Sequence, residues 1–294
     1  MGIVVNQTSK NILTISFALI IGGINTLYFY PEFLQAEYYG LVVFLLATSN
    51  LLQPIMSLGT QHTIIKFYSS FNQKKDRDSF LSTIIFIPLI IIIPITFIVI
   101  QAHDLIGEFL SIQNPIIESY IWVIFLVAFA TSYFEVFYAW SRVQLKSVFG
   151  NILKEIYPRL SVFVLLILIG FEIIDKAEFV WWLTGLYYLR LFIMISYSLS
   201  LYVPKFSFKL TSNFKEIVLY SIYILLAGSA ASLLIDIDKY MIPQKQAISQ
   251  TAYYAVAVFI ATVVEIPGRA MFQILNPMVA KALNDQNFIY LDKL

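Results

Sequence analysis

Phe80 to Gln101 reads FLSTIIFIPLIIIIPITFIVIQ, 22 residues without one charge. A bilayer's hydrocarbon core needs about 20 such residues in a helix, whereas a helix of a soluble protein keeps a polar face. Both flanks are charged: Lys74, Lys75, Asp76, Arg77 and Asp78 precede the run, and Asp104 and Glu108 follow it. Working outward, seven more stretches have the length and apolarity of a span. With the first they cover about 11–30, 39–58, 80–101, 118–140, 151–170, 179–201, 215–235 and 253–275. The fold class is therefore an all-α, polytopic membrane protein with about eight spanning helices. Pro88 and Pro94 predict a kink in the third span, and the second helix is expected to run on past Gly59 towards Phe71.

Composition agrees. Mean hydropathy is +0.79, and 59% of the 294 residues are hydrophobic against 13% charged, too apolar for a soluble globule of this length. A net charge of +1 offers no basic face for nucleic acid. No cysteine is present, which removes disulfide and thiolate chemistry. His62 and His103 stand far apart without acidic spacing partners, so neither a metal nor another cofactor is indicated.

Lysine and arginine concentrate on one side of the spans: Lys10; Lys74, Lys75 and Arg77; Arg142, Lys146, Lys154 and Arg159; Lys205, Lys209 and Lys215; Lys281 and Lys293. By the positive-inside rule that side, with the N-terminus, is cytoplasmic. The opposite loops carry mostly Asp and Glu, including Glu32, Glu37, Glu172, Asp175 and Asp236.

An internal repeat organises the chain. Tyr38, Tyr39, Val43 and Phe44 match Tyr253, Tyr254, Val258 and Phe259 at an offset of 215, which also pairs Met56 with Met271 and Lys66 with Lys281. The two segments open the second and the eighth spans, an even difference of six, as a parallel repeat requires. Residues 1–202 then read as a six-helix lobe, 203–215 as a cytoplasmic linker and 216–294 as the first two helices of a second lobe, so the chain is expected to be truncated before a ninth span.

Four passages carry a family resemblance: Glu37-Tyr38-Tyr39-Gly40; Ser57-Leu58-Gly59 with Ile64-Ile65-Lys66-Phe67; Lys154-Glu155-Ile156-Tyr157-Pro158-Arg159-Leu160; and Ala252-Tyr253-Tyr254 with Pro267 and Pro277. The chain resembles the multidrug/oligosaccharidyl-lipid/polysaccharide exporter superfamily, in particular its polysaccharide-unit flippases. The resemblance implies two six-helix lobes around a central cavity. It also implies alternating access that carries undecaprenyl-diphosphate-linked oligosaccharide to the periplasmic leaflet of a bacterial inner membrane. Lipid-linked oligosaccharide and membrane lipids are the implied partners, with polysaccharide polymerase machinery as a further candidate. A multidrug antiporter of the same superfamily is the alternative, although the first span lacks an acid. A membrane-embedded polymerase or acyltransferase is a more distant one, because no catalytic constellation is visible.

Intramembrane polar residues are the site candidates, since a charge at that depth faces protein or water. Glu265, Arg269, Gln273 and Asn276 share one helical face, and Asn50, Gln53, Ser57 and Gln61 are read as another, so both stripes are expected to line the cavity; alternatively Glu265 and Arg269 only neutralise each other. Arg190, at mid-span, reads either as a diphosphate contact or as a structural partner of Glu135 or of backbone carbonyls. Lys154 and Arg159 read either as the first cations an entering headgroup meets or as topology signals. Glu135, Glu265 and Asp236 are the candidate coupling acids, although Asp236-Ile237-Asp238 reads by default as a solvated loop beside Lys239.

Overall fold

The computed structural model describes residues 2–71, 73–205 and 214–264, and every regular element among them is helical. The chain divides into two units, Met1–Tyr253 and Tyr254–Leu294. In the second, the described residues 254–264 are helical.

Helix α1 (Gly2–Ile24) passes into a π-helical stretch, Asn25–Leu34, containing Pro31. At Gln35 the backbone turns to φ 60°, and α2 (Gln35–Ser57) begins. Tyr30 and Tyr39 stack with ring centroids 4.5 Å apart. Nine residues of continuous helix would part them by about 13 Å along the axis, so the chain doubles back at Gln35 and makes two antiparallel spans.

Helical structure runs on past Gly59 to Ser70 as the sequence suggests, but with a break. Leu58 (φ 51°) and Gly59 (φ 64°) both adopt left-handed backbone, and only then does α3 (Thr60–Phe67) start, on a new axis. The third span is likewise in two parts, α4 (Lys74–Phe86) and α5 (Leu89–Gln101), interrupted at Ile87–Pro88 as a proline without an N–H requires. In the loosened turn the Tyr133 hydroxyl donates to Ile85 O at 3.2 Å, a neighbour supplying a donor inside the membrane. Ile90, Ile93, Phe97 and Ile100 of α5 are each more than half exposed, a row of side chains for lipid tails.

After α6 (His103–Ser111) comes α7 (Ile121–Val143), the centre of the bundle, with α2, α3 and α9 packed around it. Trp140 and Phe134 of α7 are fully buried. Small hydroxyls stitch it to its neighbours: Ser49 donates to Ile124 O (2.9 Å), Ser132 to Gln53 O (3.1 Å) and Ser198 to Phe137 O (2.8 Å). Helix α8 (Val148–Gly170) lies against α1 and α9. Helix α9 (Lys176–Leu201) opens with a capping box in which Asp175 accepts from Glu178 N at 2.7 Å and Glu178 accepts from Asp175 N at 3.0 Å.

Helix α10 (Phe214–Met241) runs antiparallel along α2. Gly59 meets the backbone at Ser221, Phe44 stacks on Tyr240, and Gly40 abuts Ile248 O. Helix α11 (Ser249–Val264) follows.

Four helical segments are long and apolar enough to cross a membrane, namely Leu13–Ser57, Lys74–Gln101, Pro115–Val143 and Lys176–Leu201, and a fifth is the bent pair Phe214–Ala230 and Ser232–Gln244. The first contains the reversal at Gln35 and so holds two of the expected spans. Helix α8 has the length of a span, but Lys154, Glu155 and Arg159 make its first half polar. The last expected span is described only as far as Val264. The molecule is an all-α, multi-pass membrane protein.

Candidate functional site

Where α2 and α3 meet the end of α7 and the start of α8, the bundle forms a cavity of about 220 Å³. Its polar lining comprises Gln53, Gln61, His62, Glu135, Arg142 and Lys154. Each is aimed there by local structure. The left-handed pair Leu58–Gly59 turns α3 so that Gln61 and His62 face α7. Glu135, Ala139 and Arg142 follow at spacings of four and three, one face of α7's last turns. That helix closes with Leu145 at φ 57° and with Lys146 N donating back to Ser141 O at 3.0 Å, which returns the chain into α8 and brings Lys154 to the cavity.

Lys154 Nζ lies 2.6 Å from Glu135 Oε1. Two cations therefore share the cavity with one carboxylate. Burial holds the His62 imidazole below its usual pKa, with the nearby Arg142 and Lys154 lowering it further against the opposing pull of Glu135; α3 lies beyond the apolar span that ends at Ser57. Gln53 Nε2 and Gln61 Oε1 are buried with no hydrogen-bond partner among the described residues. A second, wider cavity of about 490 Å³ adjoins on the α1 and α8 side, lined by Asn11, Ser147, Asn151 and Glu155 and again by Arg142 and Lys154.

Of the residues singled out in the sequence, Gln53, Gln61, Lys154 and Glu135 come together in the smaller cavity. Arg159 does not line it: its guanidinium pairs with Glu155 at 3.0 Å and lies over Gly22 of α1, while its carbonyl accepts from Asn25 Nδ2 at 2.7 Å. Arg190 is also elsewhere, 4% exposed, between the rings of Phe134 (4.3 Å) and Tyr187 (4.6 Å). One amino group reaches Thr131 Oγ1 at 3.4 Å, and Nε has no hydrogen-bond partner among the described residues. Glu135, the structural partner considered for Arg190, is held by Lys154 instead.

The polar stripe read along the second helix is split. Gln53 and Gln61 face the cavity, Ser57 is buried and donates to Pro54 O, and Asn50 turns to α10. There Asn50 Nδ2 donates to Asp236 Oδ2 at 3.2 Å, and Lys239 Nζ reaches Asp236 Oδ1 at 2.6 Å. Asp236 is 6% exposed, so its reading as a solvated loop acid is corrected: α10 continues to Met241, and the carboxylate lies inside the α2–α10 seam, where burial requires both partners. Glu265, Arg269 and the rest of the second stripe lie outside the described residues.

His62 and Arg142 were not among the sequence candidates. Arg142 was legible only as one of several basic loop residues. For His62 the signal was its place next to Gln61, just after a glycine able to redirect the helix.

Neither a curated protein nor a solved structure matches the chain. The profile of one family does: it aligns with residues 7–283, nearly the whole length, and the chain belongs to the polysaccharide biosynthesis protein family.

Proposed function

We propose that this protein moves undecaprenyl-diphosphate-linked oligosaccharide across a bacterial inner membrane, from the cytoplasmic to the periplasmic leaflet, as a transporter and not as an enzyme. One observation carries the reading: inside a multi-pass protein of a polysaccharide biosynthesis family, Arg142 and Lys154 face a polar cavity with amide groups to spare. A diphosphate is the part of such a lipid that a bilayer excludes most strongly, and arginine and lysine are its natural ligands. The positive-inside rule puts the cavity's basic end, and the N-terminus, in the cytoplasm, the leaflet where the cargo is loaded.

Alternating access would use rocking of two lobes along the α2–α10 seam. A membrane potential negative inside favours outward passage of the anion by about 2.3 kcal/mol per charge per 100 mV.

The test is leaflet-resolved accumulation of lipid-linked oligosaccharide in cells lacking this protein. Build-up in the cytoplasmic leaflet that wild type relieves and Lys154→Gln does not is the expected result. A normal distribution without the protein would overturn the reading.

A further inference from the structure

The charged groups of the two cavities are arranged around one side chain. Lys154 borders both, as does Arg142, so the ammonium stands at the partition between a smaller inner chamber and a wider outer one. In the structure that ammonium is taken: Glu135 Oε1 holds it at 2.6 Å, with the lysine side chain 42% and the glutamate 18% exposed. The other acid at the outer chamber, Glu155, is paired with Arg159 on its own helix, and Glu135 is the carboxylate of the inner chamber. Around this pair sit polar atoms with nothing to bond among the described residues: Gln53 Nε2 and Gln61 Oε1 on the inner side, Asn151 Nδ2 and Asn11 Oδ1 on the outer.

A site with two cations, one of them occupied by the protein's own carboxylate, and an unused amide donor beside them is built for an anion with more acceptor oxygens than a carboxylate has. We propose that the two chambers form a single binding site for a phosphate or diphosphate group, and that Glu135 is its resident competitor, holding Lys154 until a phosphate oxygen displaces it. The ligand class rests on the transport reading above; the displacement rests on the Glu135–Lys154 contact and the shared lining. A carboxylate offers two acceptor oxygens and one charge. A diphosphate offers several of each, enough to engage Lys154, Arg142 and the Gln53 amide together, which is why it wins the exchange. The exchange also gives selectivity: a singly charged anion gains little by replacing Glu135, so an empty or wrongly loaded site stays closed by its own ion pair.

The experiment is calorimetric titration of inorganic pyrophosphate into the detergent-purified full chain at fixed ionic strength and pH 7.5. It uses wild type, Glu135→Gln, Lys154→Gln and the double variant. Glu135→Gln is expected to bind about tenfold tighter and Lys154→Gln about tenfold weaker, each near 1.4 kcal/mol. In the Lys154→Gln background the Glu135 substitution is expected to change little, because the carboxylate acts by holding that lysine. Glu135→Asp, which keeps the charge on a shorter arm, gives a smaller gain and serves if the glutamine variant fails to fold.

Three results would each overturn the proposal: no gain on removing Glu135, a gain of the same size when Lys154 is absent, or no pyrophosphate binding by wild type and Glu135→Gln. The expected pattern combined with a normal leaflet distribution in cells lacking the protein would leave this anion site standing and remove the transport reading. A missing pattern combined with a leaflet defect would do the reverse.

Discussion

His62 sits beside Glu135, Arg142 and Lys154 as a ring that burial keeps uncharged near neutrality. Its proton affinity is lower in the folded protein than in the unfolded chain, so the folded state loses ground where the unfolded chain protonates and it does not. Stability is therefore full above the ordinary histidine value of about 6.5 and declines as the pH falls below it towards the depressed folded value. The thermal midpoint in detergent is expected to drop between pH 7.5 and 5, and His62→Asn to flatten that slope; an unchanged slope would count against the buried neutral ring. At this scale Glu135 and Gln53 stood out in the sequence because such residues are improbable in a membrane, and Lys154 stood out as a cation at the basic opening of a span; all three line one cavity. Arg190 stood out equally, yet its partners are two aromatic faces, Phe134 and Tyr187, which an apolar sequence offers everywhere and which no spacing rule selects.

The elements that aim these residues are short irregularities between long helices. Gly59 is the sharpest case: its φ is +64°, and a methyl group there would stand 2.9 Å from Ser221 O and 2.6 Å from Ile224 Cγ2. Gly59→Ala is expected to cost about 1–3 kcal/mol through strain and the collision with α10. Gly185→Ala, with nothing within 4 Å of the new methyl group, should be neutral or slightly stabilising in α9. Equal thermal midpoints for the two variants would refute this account. Helix positions were legible because twenty apolar residues in a row have one use. The π-helical stretch and the reversal at Gln35 were not, because glutamine seldom adopts φ 60° and Pro31 alone does not announce where a chain turns.

Across the whole molecule, the 215-residue offset of the repeat makes position 265, which lies outside the described residues, the counterpart of Asn50, whereas the partner the structure gives Asn50 is Asp236, 186 positions away in sequence. No local pattern encodes a pairing of that range; it follows from α10 lying along α2. The polar start of α8 has a consequence of another kind, for the way the chain enters its membrane. Arg159 lies half-way along α8, and Lys154 little more than a turn before it. A charge at the middle of an isolated helix costs about 2.5–3.5 kcal/mol on insertion. Glu155 offsets Arg159 from within α8, but the counter-charge of Lys154 is on α7. In a membrane-insertion reporter, α8 alone should therefore stay largely outside the bilayer and the α7–α8 hairpin should enter, less efficiently with Glu135→Ala; efficient entry of α8 alone would contradict this. Helix α8 would then have to wait at the membrane's edge for α7, so that the ion pair in the cavity of the finished protein is also the condition under which α8 is delivered.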